Sequence, residues 1–275
     1  MEKSDINDIT AIICTYNSEK TIEKCLNSIK NNKINKIIIV DADSTDQTKN
    51  IGKKHEVIIL SDSGIGLGNA RNVGLNQVNT KYVIYVGPDN IMPEQSINKI
   101  LNYMLENNWI GCSCMTSITN EPKTYLEKSM NSYKKSKFFP GEKNIIGTPW
   151  LYITEILKKY KFNEKSTYSD DTELCNRLRS DDHKIGISDV FCYEVGTTTW
   201  SDIKHRWAMY GKSDSEFYKI IKNNLTLKNR IKSRLHAITT DLLLPLRSKN
   251  ISSLEKMKLF PFLILIVFFR LRGFN

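Results

Sequence analysis

The stretch TKYVIYVGPDN, residues 80–90, is the best starting point for predicting the fold of this chain. Its apolar run, residues 82–86, ends abruptly in Gly-Pro-Asp-Asn, and a short aromatic and β-branched run bounded by Gly and Pro is typical of a buried strand. Asp89 then stands just past the carboxyl end of that strand, where open α/β sheets bind ligands. The alternative is that Pro88 and Asp89 form only a turn, because Pro-Asp is common turn chemistry.

Strand-like and helix-like segments alternate on both sides of this stretch. Earlier strand-like runs lie at residues 8–14, 36–40 and 56–60, and the segments between them have helical character. Such alternation predicts an α/β fold with a mostly parallel sheet and helices on both faces. Further along we expect a strand at 110–116, an irregular segment at 117–147, a helix at 150–160, a helix from Asp171 capped by Asp170 or Ser169, and two short strands within 184–195.

The charge of the chain is concentrated near its C-terminus. Residues 1–200 contain 25 Lys and Arg and 25 Asp and Glu, whereas residues 201–275 contain 15 and 5. The basic part also contains an eleven-residue apolar run, LFPFLILIVFF at 259–269, which is shorter than the roughly 20 residues that span a bilayer. Basic residues beside such a run indicate a membrane surface rather than nucleic acid, since an apolar run contributes nothing to phosphate binding.

We therefore predict two parts, a domain at 1–200 and a basic helical segment at 201–275 that associates with a membrane. The alternative for residues 259–269 is a helix packed on the protein's own core. The polar, acidic N-terminus is unlike a signal peptide, and the six cysteines have no zinc-binding spacing. We expect reduced core cysteines and a cytoplasmic protein, peripheral on the inner face of the cell membrane.

Polar clusters follow three of the predicted strands, and the carboxyl ends of parallel strands lie along one edge of a sheet. The clusters are Thr15, Tyr16 and Asn17, then Asp41 and Asp43, then Asp89. A fourth segment, residues 64–72, is glycine-rich and enters a helix, but it lacks the Gly-Lys-Ser/Thr of a P-loop. Arg71 on that helix is placed to reach a diphosphate as a bidentate donor, or else it is a solvated arginine.

These segments resemble, in order, the motifs of the family 2 glycosyltransferases. The matching stretches are AIICTYN at 11–17, VDADSTDQT at 40–48, G-x-x-x-A-R-N-x-G at 66–74, the strand that ends in Asp89, Phe-Asn-Glu at 162–164 and Asp-Asp-Thr-Glu-Leu at 170–174. The resemblance implies the GT-A fold, which is Rossmann-like, over about residues 9–179. It implies the inverting transfer of a sugar from a nucleotide diphosphate, most often UDP, to a glycan or lipid-linked acceptor in polysaccharide biosynthesis.

The resemblance also implies roles for individual residues. Thr15, Tyr16 and Asn17 would line the nucleotide pocket, Asp41 or else Asp43 would bind the base, Gly68 and Arg71 would lie near the diphosphate, Asp89 would hold Mg²⁺ or Mn²⁺, and Asp171 would be the general base. The chain departs from the pattern at Gly87, where the family's Asp-x-Asp motif has its first carboxylate. This departure leaves the need for metal open. It also leaves open a non-catalytic sugar-nucleotide or membrane-surface binding protein on the same fold, although the Asp171 motif favours catalysis.

Overall fold

A mixed sheet organises the first part of the chain. The computed structural model describes residues 6–164, 170–197, 199–221 and 235–274. The chain divides into two units, Met1–Thr116 with Pro140–Val195, and Ser117–Phe139 with Gly196–Asn275. The strands, all joined in one sheet, are β1 (Ile9–Thr15), β2 (Lys36–Asp41), β3 (Ile58–Ser61), β4 (Tyr82–Tyr85), β5 (Asn90–Ile91), β6 (Gly111–Ser117), β7 (Gly141–Glu142), β8 (Trp150–Ile153) and β9 (Ile185–Glu194).

The sheet has a parallel half and an antiparallel half. Its strand order is β3-β2-β1-β4-β8-β6-β9-β5, and β7 pairs with β9. The first four strands are parallel, as predicted, with Thr15 opposite Asp41 and Ile12 opposite Tyr85. The pairings of β8 with β4 and β6, and of β9 with β5 and β7, are antiparallel. The order of connections reverses between β1 and β4, and such a switch point is where α/β sheets bind ligands.

Helices cover both faces of the parallel half, as predicted. The helices of this unit are α1 (Ile22–Asn31), α2 (Thr48–Lys54), α3 (Leu67–Asn76), α4 (Ser96–Glu106), α6 (Thr154–Tyr160) and α7 (Asp170–Ser180), and α5 (Tyr125–Lys137) belongs to the other unit. Ile13 of β1 is buried in one cluster with residues of α1 and α4. On the opposite face α3 approaches so closely that a Cβ at Gly74 would lie 2.8 Å from the Cγ2 of Ile12. A larger residue at Gly74 would push α3 away from the sheet.

The second unit is helical. It contains α5 (Tyr125–Lys137), α8 (Trp200–Ile221), a π-helical segment (Ile238–Leu243), α9 (Leu244–Arg247) and α10 (Ser253–Gly273). Its core joins aromatic side chains that are distant in sequence: the rings of Tyr133 and Trp207 lie 5.7 Å apart, and those of Trp207 and Phe262 lie 6.2 Å apart. Among the described residues, no helix combines the length and the hydropathy that crossing a membrane requires.

Three secondary-structure predictions were wrong. Residues 150–160 are not one helix, because Trp150–Ile153 forms β8 between β4 and β6 before α6 begins. Residues 184–195 form one long strand instead of two. The segment 117–147, expected to be irregular, contains α5, which begins with a capping box between Thr124 and Glu127. Ser169, one of the two predicted caps of α7, lies outside the described residues.

The six cysteines are free thiols, and five of them are buried, as predicted. Burial raises the pKa of Cys175 to about 11 and that of Cys112 to about 12. Both thiols are therefore protonated at neutral pH and pack as small apolar groups.

Candidate active site

The loops that follow β1 and β2 are joined through a buried carboxylate. The side chain of Asp41 accepts hydrogen bonds from Thr15 Oγ1 at 2.8 Å, from Ser44 N at 2.8 Å and from Ser44 Oγ at 2.6 Å. Because Thr15 and Asp41 are direct partners in the parallel register, their side chains meet at the strand ends. Asp41 is only 2% exposed, so its carboxylate holds the two loops together. Its predicted contact with a base stays a prediction.

The exposed groups at this edge are those of Tyr16, Asn17 and Asp43. Tyr16 is 65% exposed, and Asn17 and Asp43 adopt left-handed backbone conformations, with φ of 46° and 55°. Asn17 Oδ1 accepts from Thr45 N at 2.9 Å, and Asp43 Oδ1 accepts from Ser61 Oγ at 3.3 Å. Asparagine and aspartate tolerate this conformation better than other side chains do. The local backbone thus presents a ring, an amide and a carboxylate to solvent beside the switch point.

A buried aspartate that the sequence analysis missed shapes the glycine-rich loop. Asp62 accepts from Gly64 N at 3.1 Å and from Gly66 N at 3.4 Å, and both glycines have positive φ, 67° and 149°. The sequence signal for this arrangement is an aspartate that precedes one glycine by two residues and another by four. Aspartate side chains accept hydrogen bonds from the backbone N–H groups of residues that follow closely in the chain. The absence of a side chain at Gly68 is explained by packing, because a Cβ there would overlap the carbonyl oxygen of Asn163. Its place near a diphosphate stays a prediction.

Arg71 and Asp170 form a buried ion pair. Arg71 Nη1 donates to Asp170 Oδ2, and Arg71 Nη2 reaches Thr148 Oγ1 at 3.4 Å. The guanidinium carbon lies 4.9 Å from the ring centre of Trp150 and 5.1 Å from that of Phe162. Arg71 is 7% exposed and Asp170, the first residue of α7, is 3% exposed, so Arg71 is not a solvated arginine and Asp170 is its buried partner. A contact between Arg71 and a diphosphate stays a prediction.

Burial sets the protonation behaviour around this pair. It raises the pKa of the Asp170 carboxyl above its ordinary value, and the Arg71 guanidinium opposes that rise. The neighbouring carboxylate of Asp171 raises the pKa of Asp170 further. Burial also raises the pKa of the Cys14 thiol to about 12, and the charges of Arg71 and Asp170 influence that pKa as well. This thiol is therefore not a nucleophile at neutral pH.

Asp171 occupies the first turn of α7, next to the ion pair. Its Oδ1 accepts from Thr172 N at 2.6 Å. Its Oδ2 lies 3.7 Å from the point where a Cβ at Gly147 would stand, and among the described residues no hydrogen bond reaches this oxygen. Because Gly147 has no side chain, space remains beside Oδ2. Asp171 is half-buried, and the positive end of the helix dipole stabilises its charge.

The motif Ala-Arg-Asn on α3 is connected to Phe-Asn-Glu by a further asparagine that the sequence analysis did not single out. Asn72 Nδ2 donates to Phe162 O at 2.9 Å, and Asn72 Oδ1 accepts from Phe162 N at 2.9 Å. Asn72 Nδ2 also donates to Glu164 Oε1 at 3.1 Å. One amide thus fixes the strand-like segment that places the Phe162 ring against Arg71.

The turn after β4 holds Asp89, half-buried. Asn90 N donates to Gly87 O at 2.9 Å, which closes a turn, and Gly87 N donates to Asn90 Oδ1 at 2.9 Å. A Cβ at Gly87 would lie 2.8 Å from Asn90 Oδ1 and 3.0 Å from Asp89 Oδ1. The aspartate that the family pattern expects at this position would therefore require the side chains of Asp89 and Asn90 to shift.

The carboxylate of Asp89 fits a divalent cation as a single protein ligand. Within the described residues, no three His, Cys, Asp or Glu side chains converge on one point to hold a metal ion. Mg²⁺ is nevertheless commonly bound by one or two carboxylates, substrate phosphates and water, and a hard oxygen donor such as Asp89 suits it. A cation here would depend on the oxygens of a bound diphosphate.

The comparison with protein families agrees with this arrangement. The sequence model described as glycosyl transferase family 2 matches residues 10–161, more than half of the chain. The chain belongs to glycosyl transferase family 2. The matched span contains the strand ends, the Arg71 helix and the Asp89 turn, so the predicted resemblance is confirmed.

Two named bacterial proteins are similar to the chain. The minor teichoic acid biosynthesis protein GgaB of Bacillus subtilis is 25% identical over 206 residues, which are 68% of this chain and 22% of GgaB. The poly(ribitol-phosphate) beta-N-acetylglucosaminyltransferase TarP of Staphylococcus aureus is 24% identical over 281 residues, covering 91% of this chain and 83% of TarP. The chain thus spans about a fifth of GgaB and most of TarP.

Solved structures share the fold. Residues 1–349 of S. aureus TarS in complex with UDP align with a TM-score of 0.54 at 17% identity, over 97% of this chain and 88% of that one. Glucosyl-3-phosphoglycerate synthase of Mycobacterium tuberculosis, solved with Mn²⁺ and UDP, aligns with a TM-score of 0.54 at 15% identity, over 77% and 78%. The predicted GT-A fold is confirmed.

Proposed function

We propose that this chain transfers a sugar from a UDP-sugar to a hydroxyl group of a glycan or lipid-linked acceptor, with inversion of the anomeric centre. The observation that carries the proposal is Asp171, a half-buried carboxylate with space beside Oδ2 and a buried Arg71–Asp170 pair next to it. The UDP bound in the structures of TarS and the mycobacterial synthase supports the donor class. The names of GgaB, a minor teichoic acid biosynthesis protein, and of TarP, a poly(ribitol-phosphate) beta-N-acetylglucosaminyltransferase, support the acceptor class.

The reaction needs one proton acceptor and one leaving group. The acceptor hydroxyl oxygen attacks the anomeric carbon from the face opposite UDP, and the bond between that carbon and the diphosphate oxygen breaks. The electron pair of that bond leaves with UDP, while the hydroxyl proton passes to Asp171 Oδ2. The Arg71–Asp170 pair fixes the first turn of α7, and with it the position of Asp171. A positioned general base of this kind contributes about 10²–10⁴-fold.

The donor contacts divide between exposed and buried groups. Tyr16 and Asn17 face solvent and would contact the nucleotide directly, with Thr15 beneath them. Asp43 is exposed whereas Asp41 is enclosed by three hydrogen bonds, so we assign the base contact to Asp43 and the ordering of the loop to Asp41. Asp89 would hold Mg²⁺ or Mn²⁺ together with the diphosphate. When bound, the cation neutralises charge that develops on the leaving diphosphate.

The location that we propose is the inner face of the cell membrane. The support is the excess of ten positive charges in residues 201–275, where 15 Lys and Arg stand against 5 Asp and Glu. Each basic residue near an anionic leaflet contributes about 1 kcal/mol at most, so several together retain a protein there. A protein held there would meet acceptors that carry a lipid.

Replacement of the base tests the proposal. In Asp171→Asn, release of UDP from UDP-GlcNAc or UDP-glucose, with poly(ribitol phosphate) or water as acceptor, should fall by about 10²–10⁴-fold because the amide cannot take the proton. UDP affinity measured by calorimetry should change less than about twofold, since the base contacts the acceptor rather than the nucleotide.

Asp182→Asn is the matched control, because Asp182 is an exposed aspartate just beyond the same helix. It should keep full turnover. Full turnover in Asp171→Asn would remove Asp171 from the role of base. A wild-type chain that binds UDP but turns over none of these donors would favour the non-catalytic binding protein.

A further inference from the structure

Helix α10 of the second unit is apolar around nearly its whole circumference. One side is buried in the core of that unit through Leu259, Phe262, Leu263, Ile266 and Val267. This burial accounts for about half of the apolar run at 259–269 and corresponds to the predicted alternative of a helix packed on the protein's own core. A helix that is apolar on all sides normally has its other side covered as well.

The opposite side of α10 is an exposed apolar stripe. Its members are Leu254, Met257, Phe260, Ile264, Phe268 and Leu271, with exposed fractions between 37% and 68%. Their successive spacings of three, three, four, four and three residues keep them on one face of a helix. At a rise of about 1.5 Å per residue the stripe is about 25 Å long. A continuous apolar surface of this length is much larger than that of a single exposed leucine.

Basic and aromatic side chains border this stripe. Lys258 and Arg272 are exposed, and at 100° per residue both fall on the same edge of it. The guanidinium of Arg272 lies 5.6 Å from the ring centre of Phe268, inside the stripe. Near Lys258, Tyr125 Oη donates to the backbone oxygen of that lysine at 3.1 Å.

Tyr125 also stacks on Trp200, with ring centres 6.5 Å apart. Both rings are more than 40% exposed. Amphipathic rings of this kind favour the boundary between lipid and water.

We propose that the exposed stripe of α10 docks on the surface of an anionic lipid leaflet, with the helix parallel to the membrane and Lys258 and Arg272 among the headgroups. Charge complementarity favours an anionic leaflet as the partner of this stripe, since the whole net charge of +10 resides in residues 201–275. A second copy of the chain would bring the same basic edges together and suffer repulsion. This inference specifies the membrane contact in the proposed function and does not depend on glycosyl transfer.

Vesicle binding of the full chain tests the docking face. We expect co-sedimentation with vesicles of phosphatidylcholine and phosphatidylglycerol, weaker binding to phosphatidylcholine alone, and a decrease with added salt. Phe260→Glu and Ile264→Glu should each weaken binding to the anionic vesicles by about tenfold or more, because a carboxylate replaces an apolar contact and repels the headgroups. Phe191→Glu is the matched control: Phe191 on β9 has the same 46% exposure as Phe260, and its replacement should leave vesicle binding unchanged.

A second measurement reports the contact directly. An environment-sensitive fluorophore on Ile264→Cys should shift to the blue on addition of anionic vesicles, whereas the same label on Phe191→Cys should not. Equal vesicle binding by wild type and Phe260→Glu would overturn the proposal, as would equal loss in Phe191→Glu. If Phe260→Glu instead converts a dimer to a monomer without changing vesicle binding, the stripe is a contact between copies. UDP release in solution is a separate readout, so failure of docking and failure of the transferase activity are distinguishable.

Discussion

At the residue scale, the cation site that we propose at Asp89 leads to a prediction about how a bound diphosphate is neutralised. We expect Mn²⁺ to tighten UDP binding by about tenfold, or about 1.4 kcal/mol, because metal and diphosphate oxygens complete each other's coordination at Asp89. Asp89→Ala should abolish this effect of Mn²⁺ in a calorimetric titration. Asp189→Ala, which removes an exposed aspartate on β9, should preserve it. UDP affinity that ignores Mn²⁺ in the wild type would show that Asp89 is not a metal ligand.

The sequence pointed to polar and charged residues at the strand ends, but it did not distinguish exposed groups from enclosed ones. Asp41 and Asp43 are the same type of residue and lie only two positions apart in the sequence. Their difference arises from the register of β1 with β2, which places Thr15 against Asp41 and turns Asp43 outward. Likewise Arg71 and Asp170 are 99 residues apart, and nothing local predicts that they pair.

At the element scale, the glycine at the start of α3 sets the approach of that helix to the segment after α6. Gly68→Ala should lower the free energy of unfolding by about 1–3 kcal/mol, since its Cβ would overlap the backbone oxygen of Asn163, which cannot move independently. The usual gain from replacing a helical glycine, about 0.4–1 kcal/mol, is smaller than this cost.

Gly147→Ala is the control for this change. Among the residues that the structure describes, its Cβ would meet only Asp171 Oδ2, at an ordinary 3.7 Å. Urea unfolding should therefore show nearly unchanged stability for Gly147→Ala. Equal stability for Gly68→Ala would mean that α3 can shift away from Asn163 without loss.

The four parallel strands, though not their order in the sheet, were predictable at this scale because each has a short apolar run with local turn signals. The helix predicted at 150–160 was not, because its first four residues, WLYI, have β propensity and apolar content that suit a strand only when β4 and β6 flank them. The capping box that begins α5, Thr124 with Glu127, was a readable local signal within the segment expected to be irregular.

At the scale of the whole molecule, the chain leaves the sheet unit after Thr116, contributes α5 to the helical unit, and returns at Pro140. The change in composition after residue 200 predicted a basic segment there. Composition does not reveal that the internal segment with α5 folds together with the C-terminal residues. The contacts that hold α5 in that unit are polar as well as apolar. They centre on Asp241, whose partners are more than 100 residues away on α5 and 29 residues away on α10.

Asp241 makes the helical unit sensitive to acid. Its carboxylate is buried and accepts from Tyr133 Oη at 2.5 Å, Lys137 Nζ at 3.1 Å and Arg270 Nη1 at 2.7 Å. Burial alone would raise the pKa of Asp241, but Lys137 and Arg270 outweigh burial and hold that pKa below its ordinary value. A carboxyl whose pKa is lower in the folded than in the unfolded chain stabilises the fold above the unfolded pKa, about 3.9 for aspartate, and loses this contribution as the pH falls.

We therefore expect the free energy of unfolding, measured by urea titration followed by circular dichroism, to fall between about pH 5 and about pH 3. Asp241→Asn should be less stable at pH 7 by about 3 kcal/mol, because Lys137 and Arg270 lose a buried counter-charge. Its stability should also depend less on pH in the acid range than that of the wild type. Lys135→Gln is the control, since its ion pair with Glu255 is largely exposed and should contribute less than about 1 kcal/mol. The same acid dependence in Asp241→Asn as in the wild type would assign the titration to other carboxylates.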